Sequence, residues 1–512
     1  MQIGNCKLWS SRQREVDVRQ IWLEVLHLQK HFSITNYQLP IFNHQLLDLD
    51  YPTMQRLGRR VADLVARHLA TLREQPTRRT LSRAEADRMI AGPAPRSGTD
   101  FETLLAKLER DVIPYHTREP HPGFVAYVQS CSAFPAVLGD WIATGYNFFG
   151  GAWVVAPGPT TLELTVLDWF REWLGMPKGA GGLLTSGGST ATLTAVVAAR
   201  HAMCDDPARL AKAVLYTSDQ AHSSVTRAAW IAGLPRDHIR AVPVDAEWRM
   251  KPDELQQAIA RDRSAGLLPV AVVASAGTTN TGAVDPLVAI ADLCKREGLW
   301  LHVDAAYGGF TVLTDHGRRM LDGIGLADSI TLDPHKWLFV PFECGCLMVK
   351  DPVRLRQAFH ILPEYLEALD TAAEEVNFAD LGEQLSRYSR AFKVWLCVQY
   401  YGTEALSEAI ERGIHNAEIA EELIRQAPEL EVLSPARLGI LCFRARGTGD
   451  ATTVDALNQR ILQRVNDNAR YFISTTRLNG ALALRICTPG FRTRPKDIEG
   501  LIGEIREAAA SV

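Results

Sequence analysis

Three stretches of the sequence carry residue types that can do chemistry together. Thr185-Ser186-Gly187-Gly188-Ser189-Thr190-Ala191 follows a short β-rich run and opens a helical pattern over Ala191 to Arg200. Small residues there let backbone N–H groups approach a ligand, and the helix N-terminus adds positive partial charge, so the segment suits a phosphate. A plain strand-to-helix turn explains it equally well when taken alone. It is no Walker loop, because no Gly-Lys-Ser/Thr follows, and it lacks the three-glycine dinucleotide spacing. Trp300-Leu301-His302-Val303-Asp304-Ala305-Ala306-Tyr307 sets a carboxylate at the end of a buried strand. Asp304 there needs a cationic or hydrogen-bonding partner, and the bland alternative is a salt bridge to an arginine. Asp333-Pro334-His335-Lys336-Trp337 then places a lysine at the end of another strand, ahead of apolar Trp337-Leu338-Phe339-Val340-Pro341. A lone lysine is usually a solvated surface charge. One held among apolar residues suits Schiff-base chemistry instead.

An anion cradle, a buried aspartate and a lysine, in that order on one scaffold, form the set that pyridoxal phosphate needs. The lysine would form the Schiff base, the carboxylate would keep the pyridine nitrogen protonated, and the cradle would hold the phosphate. His222, in Ser218-Asp219-Gln220-Ala221-His222-Ser223-Ser224-Val225, offers a flat imidazole to stack on such a ring; its plain reading is a capped loop histidine.

The elements that must position these residues alternate in kind. Strands are expected at Gly182 to Thr185, Ala213 to Thr217, Val270 to Ala274, Trp300 to Val303, Ser329 to Leu332 and Cys346 to Val349. A helix is expected over Ala289 to Glu297, with Asp285 as its cap and Gly298 as its stop. Alternation of this sort predicts an α/β fold with a mostly parallel sheet covered on both faces, its ligands bound where the strands end. From about Lys393 a smaller α/β unit follows, with helices near Glu404 to Gln426 and Val454 to Asp467 and strands near Ile440 to Arg444 and Ala481 to Ile486. Met54 to Arg73 reads as an amphipathic helix needing a partner surface, followed by a polar stretch from Gln75 to Asp100. Residues 1 to 50 show no clear period and read as an extension that need not be ordered.

Composition narrows the classes. The 512 residues are 46% hydrophobic and 22% charged, which excludes bulk disorder, and the net charge of -4 leaves out a nucleic-acid footprint. No apolar run is long enough to span a membrane, and the first thirty residues do not resemble an export signal. The nine scattered cysteines fit a reducing, cytoplasmic compartment better than disulfides or a zinc site.

From about Met54 to the C-terminus the sequence resembles the group II pyridoxal-phosphate-dependent amino-acid decarboxylases, and within them the aromatic L-amino acid decarboxylases. The stretches that carry the resemblance are His121-Pro122-Gly123-Phe124-Val125-Ala126-Tyr127, Ser218 to Val225, Gly277-Thr278-Thr279-Asn280-Thr281-Gly282, Leu301 to Tyr307 and Asp333 to Trp337. It implies fold type I and a homodimer with active sites at the subunit interface. The domains would be a helical dimerisation segment over residues 51 to 133, a large cofactor domain over 134 to 393 and a small C-terminal domain over 394 to 512. By position, Lys336 resembles the Schiff-base lysine and Asp304 the partner of the ring nitrogen. His222 and Ala306 would lie on the two faces of the ring with Thr279 nearby, while Gly187, Gly188, Ser189 and His335 would hold phosphate. Leu362-Pro363-Glu364-Tyr365-Leu366 looks like the family's mobile catalytic loop, with Tyr365 as proton donor to the substrate carbon, and Glu367 to Asp380 suits a lid.

The resemblance thus implies a carboxy-lyase acting on an L-amino acid, most simply an aromatic one, with Tyr127 and Trp153 in the substrate pocket. Val128, Gln129 and Gly151 stand where relatives carry larger or more apolar residues, leaving room for a ring as large as indole or marking a different amino acid. Leu381-Gly382-Glu383-Gln384 departs from the family's Trp-Gln-Ile-Pro. A tyrosine at 365 and a histidine at 222 favour simple decarboxylation over the oxygen-consuming route to an aldehyde. The alternatives are a non-aromatic substrate, aminotransfer or another fold type I reaction, and a catalytically silent binding protein.

Overall fold

The alternation of apolar runs and helical patterns between residues 181 and 349 builds a seven-stranded sheet. Its strands are β1 (Gly181–Thr185), β2 (Ala213–Ser218), β3 (Ile239–Val242), β4 (Leu268–Ser275), β5 (Trp300–Asp304), β6 (Ser329–Leu332) and β7 (Gly345–Val349), in the order β1-β7-β6-β5-β4-β2-β3. From β6 to β3 all neighbours are parallel, whereas β7 lies antiparallel to both β6 and β1. The mostly parallel sheet is therefore mixed at one side. Every residue of β2 and of β6 is buried, as expected of strands covered on both faces. Sequence reading missed β3, a four-residue edge strand that carries Arg240 and buries only Val242.

A computed structural model of the chain describes residues 47–361 and 375–511, and the chain divides into two compact units, Met1–Arg67 and His68–Val512. The extension read over residues 1 to 50 lies outside the described residues except for 47–50. The first helix, α1 (Tyr51–Ala70), starts earlier than its pattern predicts, because Pro52 fits a first helical turn. None of its residues is buried. The polar stretch after it contains a further helix, Arg83–Ile90, opened by a capping box between Ser82 and Glu85. Next come α2 (Phe134–Tyr146), α3 (Gly188–Met203), α4 (Ser223–Ile231) and α5 (Leu287–Glu297). Gly298 ends α5 in the left-handed conformation as expected, but Asp285 does not cap it; Pro286 holds that position. The buried Asp285 carboxylate instead accepts the N–H groups of Met250 and Ser275, both at 2.7 Å, and so pins the end of β4.

The C-terminal part forms a four-stranded antiparallel sheet, ordered β10-β11-β9-β8, from β8 (Leu430–Arg437), β9 (Ile440–Ala445), β10 (Ser474–Leu478) and β11 (Ala481–Cys487). The C-terminal end of helix α6 (Ala391–Gln426) packs with it, as do α7 (Ala451–Asp467) and α8 (Pro495–Ala510), whereas the earlier turns of α6 are buried in the core of the large sheet and against α2. Gly402 breaks α6 with φ +73°, which is why its first part did not read as the same helix. β8 contains Pro435 and two register shifts, and β10 is largely polar, so neither shows a clean alternation. No helix among the described residues is long and apolar enough to cross a membrane.

A candidate active site at the carboxyl edge of the sheet

β1, β4, β5 and β6 all run in one direction, so their final residues and the loops that follow lie along one edge of the sheet. A cavity of about 450 Å³ opens there, and Gly187, Gly188, Ser189, His222, Thr279, Asp304, Ala306, His335 and Lys336 all line it. Every candidate cofactor residue read from the sequence is thus brought to one place.

The anion cradle is the start of α3. Gly187 occupies the cap position without any side-chain cap, which leaves the N–H groups of the first turn to a ligand. Room is tight at Gly188 and closed at Gly345. A Cβ on Gly188 would lie 3.0 Å from both Ala306 Cβ and Asp333 Oδ2, and one on Gly345 would lie 2.4 Å from Gly187 Cα. The loop is braced by Ser186 Oγ and Thr190 Oγ1, 2.8 Å apart.

Asp304 ends β5, and its Oδ1 accepts the Ala306 N–H at 3.2 Å. Burial raises its carboxyl above the ordinary range, opposed by the charges of Lys336 and His222 and by that N–H. An aspartate so placed gains from a protonated ring nitrogen. The charges acting on it are those of Lys336, His222 and Asp333, not the arginine of the bland reading. Lys336 lies on a one-turn helix, Pro334–Trp337, rather than on the strand itself. Its surroundings are also less apolar than the sequence implied: Nζ is 2.8 Å from Oδ2 of Asp333, which is 3% exposed. Sequence reasoning missed this partner, although the three-residue offset brings two side chains together on one helical turn. His335 donates from Nδ1 to the Cys344 carbonyl at 2.6 Å, and burial lowers its imidazole against the opposing pull of Asp333.

His222 is the capping histidine of the plain reading, and it also faces the cavity. It caps α4, Nδ1 accepting the Ser224 N–H at 3.2 Å and standing 2.8 Å from Ser224 Oγ, and its ring lines the cavity. The substrate candidates stand differently. Tyr127 is 63% exposed, and neither it nor Trp153, whose N–H donates to Asn377 Oδ1 at 2.9 Å, belongs to the cavity lining. Val128 does line it. Gln129 is buried with its amide donating to the carbonyls of Glu119 and His121, and Gly151 is crowded by the Leu385 carbonyl, 2.4 Å from where a Cβ would sit. Of the three small pocket positions, only Val128 therefore faces the site. Tyr365 lies outside the described residues, as does the lid segment up to residue 374.

The residues present fit pyridoxal phosphate. The cavity has the volume of a small-molecule site, the helix end facing it has no internal cap, and a buried oxygen of Asp333, Oδ1, has no hydrogen-bond partner among the described residues.

Comparison with known proteins agrees. The profile of the family described as "Pyridoxal-dependent decarboxylase conserved domain" matches residues 85–446. The chain is 37% identical to the aromatic-L-amino-acid decarboxylase of Bacillus atrophaeus, over 91% of this chain and 97% of that one. Its fold is similar to that of Oryza sativa TDC solved with PLP and tryptamine, at TM-score 0.87 and 28% identity, covering 91% of this chain and 99% of that one. It is likewise similar to the Catharanthus roseus tryptophan decarboxylase in complex with L-tryptophan, at TM-score 0.85 and 27% identity, covering 91% and 100%.

Proposed function

The chain belongs to the pyridoxal-dependent decarboxylase family, and on that premise we propose that it converts an aromatic L-amino acid, of the tryptophan, tyrosine, phenylalanine or dihydroxyphenylalanine type, to the amine and carbon dioxide. The observation that carries this reading is the meeting of Lys336, Asp304, His222 and the uncapped end of α3 in a single cavity. When bound, pyridoxal phosphate supplies an electron sink for the pair left as carbon dioxide departs. Lys336 Nζ would tether it. The carboxylate of Asp304 would hold a proton on the ring nitrogen, keeping positive charge where electrons are drawn. His222 and Ala306 would confine the ring from its two faces, with Thr279 beside it. Gly187, Gly188, Ser189 and His335 would bind the phosphate. Val128 would stand beside the substrate side chain, with Tyr127 and Trp153 outside the cavity lining as candidates for its outer rim, and Tyr365 would deliver a proton to the substrate carbon.

The same reading includes a homodimer. Leu138, Trp141, Ile142, Gly145 and Tyr146 line an apolar groove along α2, and the four larger side chains are each more than a third exposed; a second copy would cover that face. A cytoplasmic location is supported by the eight described cysteines, all free and buried. The deciding experiment supplies the purified protein with pyridoxal phosphate and offers tryptophan, tyrosine, phenylalanine, dihydroxyphenylalanine, histidine and glutamate. Amine and carbon dioxide from one or more aromatic substrates are expected. Aldehyde with oxygen uptake, keto acid, or release from glutamate alone would replace this reading.

A further inference from the structure

Arg485 lies on β11 of the second sheet and is 3% exposed. Among the described residues its guanidinium makes three hydrogen bonds, each to a backbone carbonyl: Nη1 to Tyr127 at 2.5 Å, Nη2 to Thr279 at 2.7 Å and Nε to Asn280 at 3.2 Å. Ser474, its partner across the β10–β11 ladder, accepts the Tyr127 N–H on Oγ at 3.1 Å. The two sides of residue 127 are therefore held from one place. Tyr127 needs holding, because its φ of +46° is a left-handed conformation that a tyrosine keeps only where its surroundings fix it. The next residue, Val128, lines the cavity, and so does Thr279. The bracket extends one step further. Thr476 Oγ1 donates to Asn280 Oδ1 at 2.8 Å, and Asn280 Nδ2 donates to Gln220 Oε1 at 3.1 Å, two residues before His222.

We propose that Arg485 is a positioning residue for substrate choice. By tying the Tyr127 and Thr279 carbonyls to the second sheet, it sets the span between the Val128 and Thr279 walls of the cavity and hence the size of side chain admitted. The rigid fork of a guanidinium reaches three acceptors at once, which the single ammonium of a lysine cannot do while keeping both loops in place. Removing it leaves buried carbonyls without a donor, and the loops relax toward other partners. The inference rests on the proposed decarboxylation of aromatic amino acids.

The test uses the full-length protein loaded with pyridoxal phosphate and the variants Arg485→Lys and Ser474→Ala. Two readouts are compared for tryptophan and phenylalanine: kcat/KM, and the dissociation constants of the two product amines by calorimetry. In Arg485→Lys the tryptophan-to-phenylalanine ratio is expected to change by at least about fivefold, mostly through KM and the amine affinities. Ser474→Ala, which frees the Tyr127 N–H and removes the long donation from the Ser474 hydroxyl to the Arg485 carbonyl at 3.5 Å, should move the ratio in the same direction by less. If Arg485→Lys does not fold, the Ser474→Ala ratio decides. Equal losses for both substrates, or an unchanged ratio, would overturn the proposal and leave Arg485 a structural residue. A wild-type protein that releases amine from none of the four aromatic amino acids would refute the functional reading first, and the proposal would fall with it; where only tyrosine and dihydroxyphenylalanine are turned over, their ratio takes the place of the tryptophan-to-phenylalanine ratio.

Discussion

Acidification from pH 7 to pH 5 should destabilise the protein, and one buried side chain, His302, should account for about 2 kcal/mol of the loss. His302 sits on β5, two residues before Asp304, and is 2% exposed. Its Nδ1 is 2.8 Å from Ser329 Oγ, which also accepts the Trp300 indole N–H, and its Nε2 is 3.1 Å from Thr331 Oγ1. Thr331 in turn reaches Thr192 of α3 at 3.2 Å, so the imidazole belongs to a network joining the Asp304 strand to the helix of the anion cradle. Burial pushes this imidazole down to about 3 from 6.5. Above pH 6.5 it is neutral in the folded and unfolded chain alike, and it does not affect the pH dependence. Below that, the unfolded chain takes up a proton that the folded one refuses, and stability falls by about 1.4 kcal/mol per pH unit until the folded value is reached. At pH 5 the deficit spans about one and a half units, which gives the figure above. His302→Gln keeps a donor and an acceptor for Ser329 and Thr331 but binds no proton. Urea denaturation of both proteins at pH 7 and pH 5 should therefore show an acid-induced loss smaller by about 2 kcal/mol in the variant. Contributions from His121, lowered to about 4, and from Asp285, raised to about 6, are shared by the two proteins and cancel. Parallel losses in the two would refute the reasoning.

The remaining predictions concern the site and its supports. Lys336→Ala should abolish covalent capture of pyridoxal phosphate, so that borohydride treatment and mass spectrometry find no adduct; an adduct in the variant would mean that another amine is the tether. Asp304→Asn should lower kcat/KM by on the order of a hundredfold while the cofactor is still taken up, and a change below about tenfold would deny the carboxylate its role on the ring nitrogen. Glu163→Gln should cost about 3–5 kcal/mol in denaturant titrations, because it leaves Arg387 an uncompensated charge in a pair whose side chains are 3% and 1% exposed. Glu163 Oε1 also accepts the Leu184 N–H at 2.8 Å at the approach to the cradle, so a loss near zero would show that the pair is dispensable.

What could be read in the sequence follows from the range of the interactions. Lys336, Asp304 and the Gly187-Gly188-Ser189 cradle each sit where an apolar run ends, so local pattern alone places them at a strand terminus; parallel pairing of β5 and β6 joins the first two, and antiparallel β7 sets β1 in the same direction beside them. Asp285 was misread because an acid ahead of a helix looks like a cap until the distant Met250 N–H that it accepts is known. Asp333 gives no local signal of its role, because only the short helix after it aims its carboxylate at Lys336. Arg485 left one signal, a charge inside the apolar run Ala481–Cys487, but nothing nearby says that its acceptors lie some 200 and 350 residues away.

That difference in range also divides the labour of the site. The groups that would act on the cofactor are fixed by strands of the seven-stranded sheet and by contacts a few residues long, such as Asp304 to Ala306 and Lys336 to Asp333. The segments at Tyr127–Val128 and Thr279–Asn280, which on our proposal wall the substrate side chain, are tied to the four-stranded sheet through Arg485, Ser474 and Thr476. A substitution on β10 or β11 can thus move a wall without moving Lys336 or Asp304. Change in substrate preference is then expected to arise more readily from the second sheet than from the residues that line the cavity, since altering those disturbs binding of the cofactor as well.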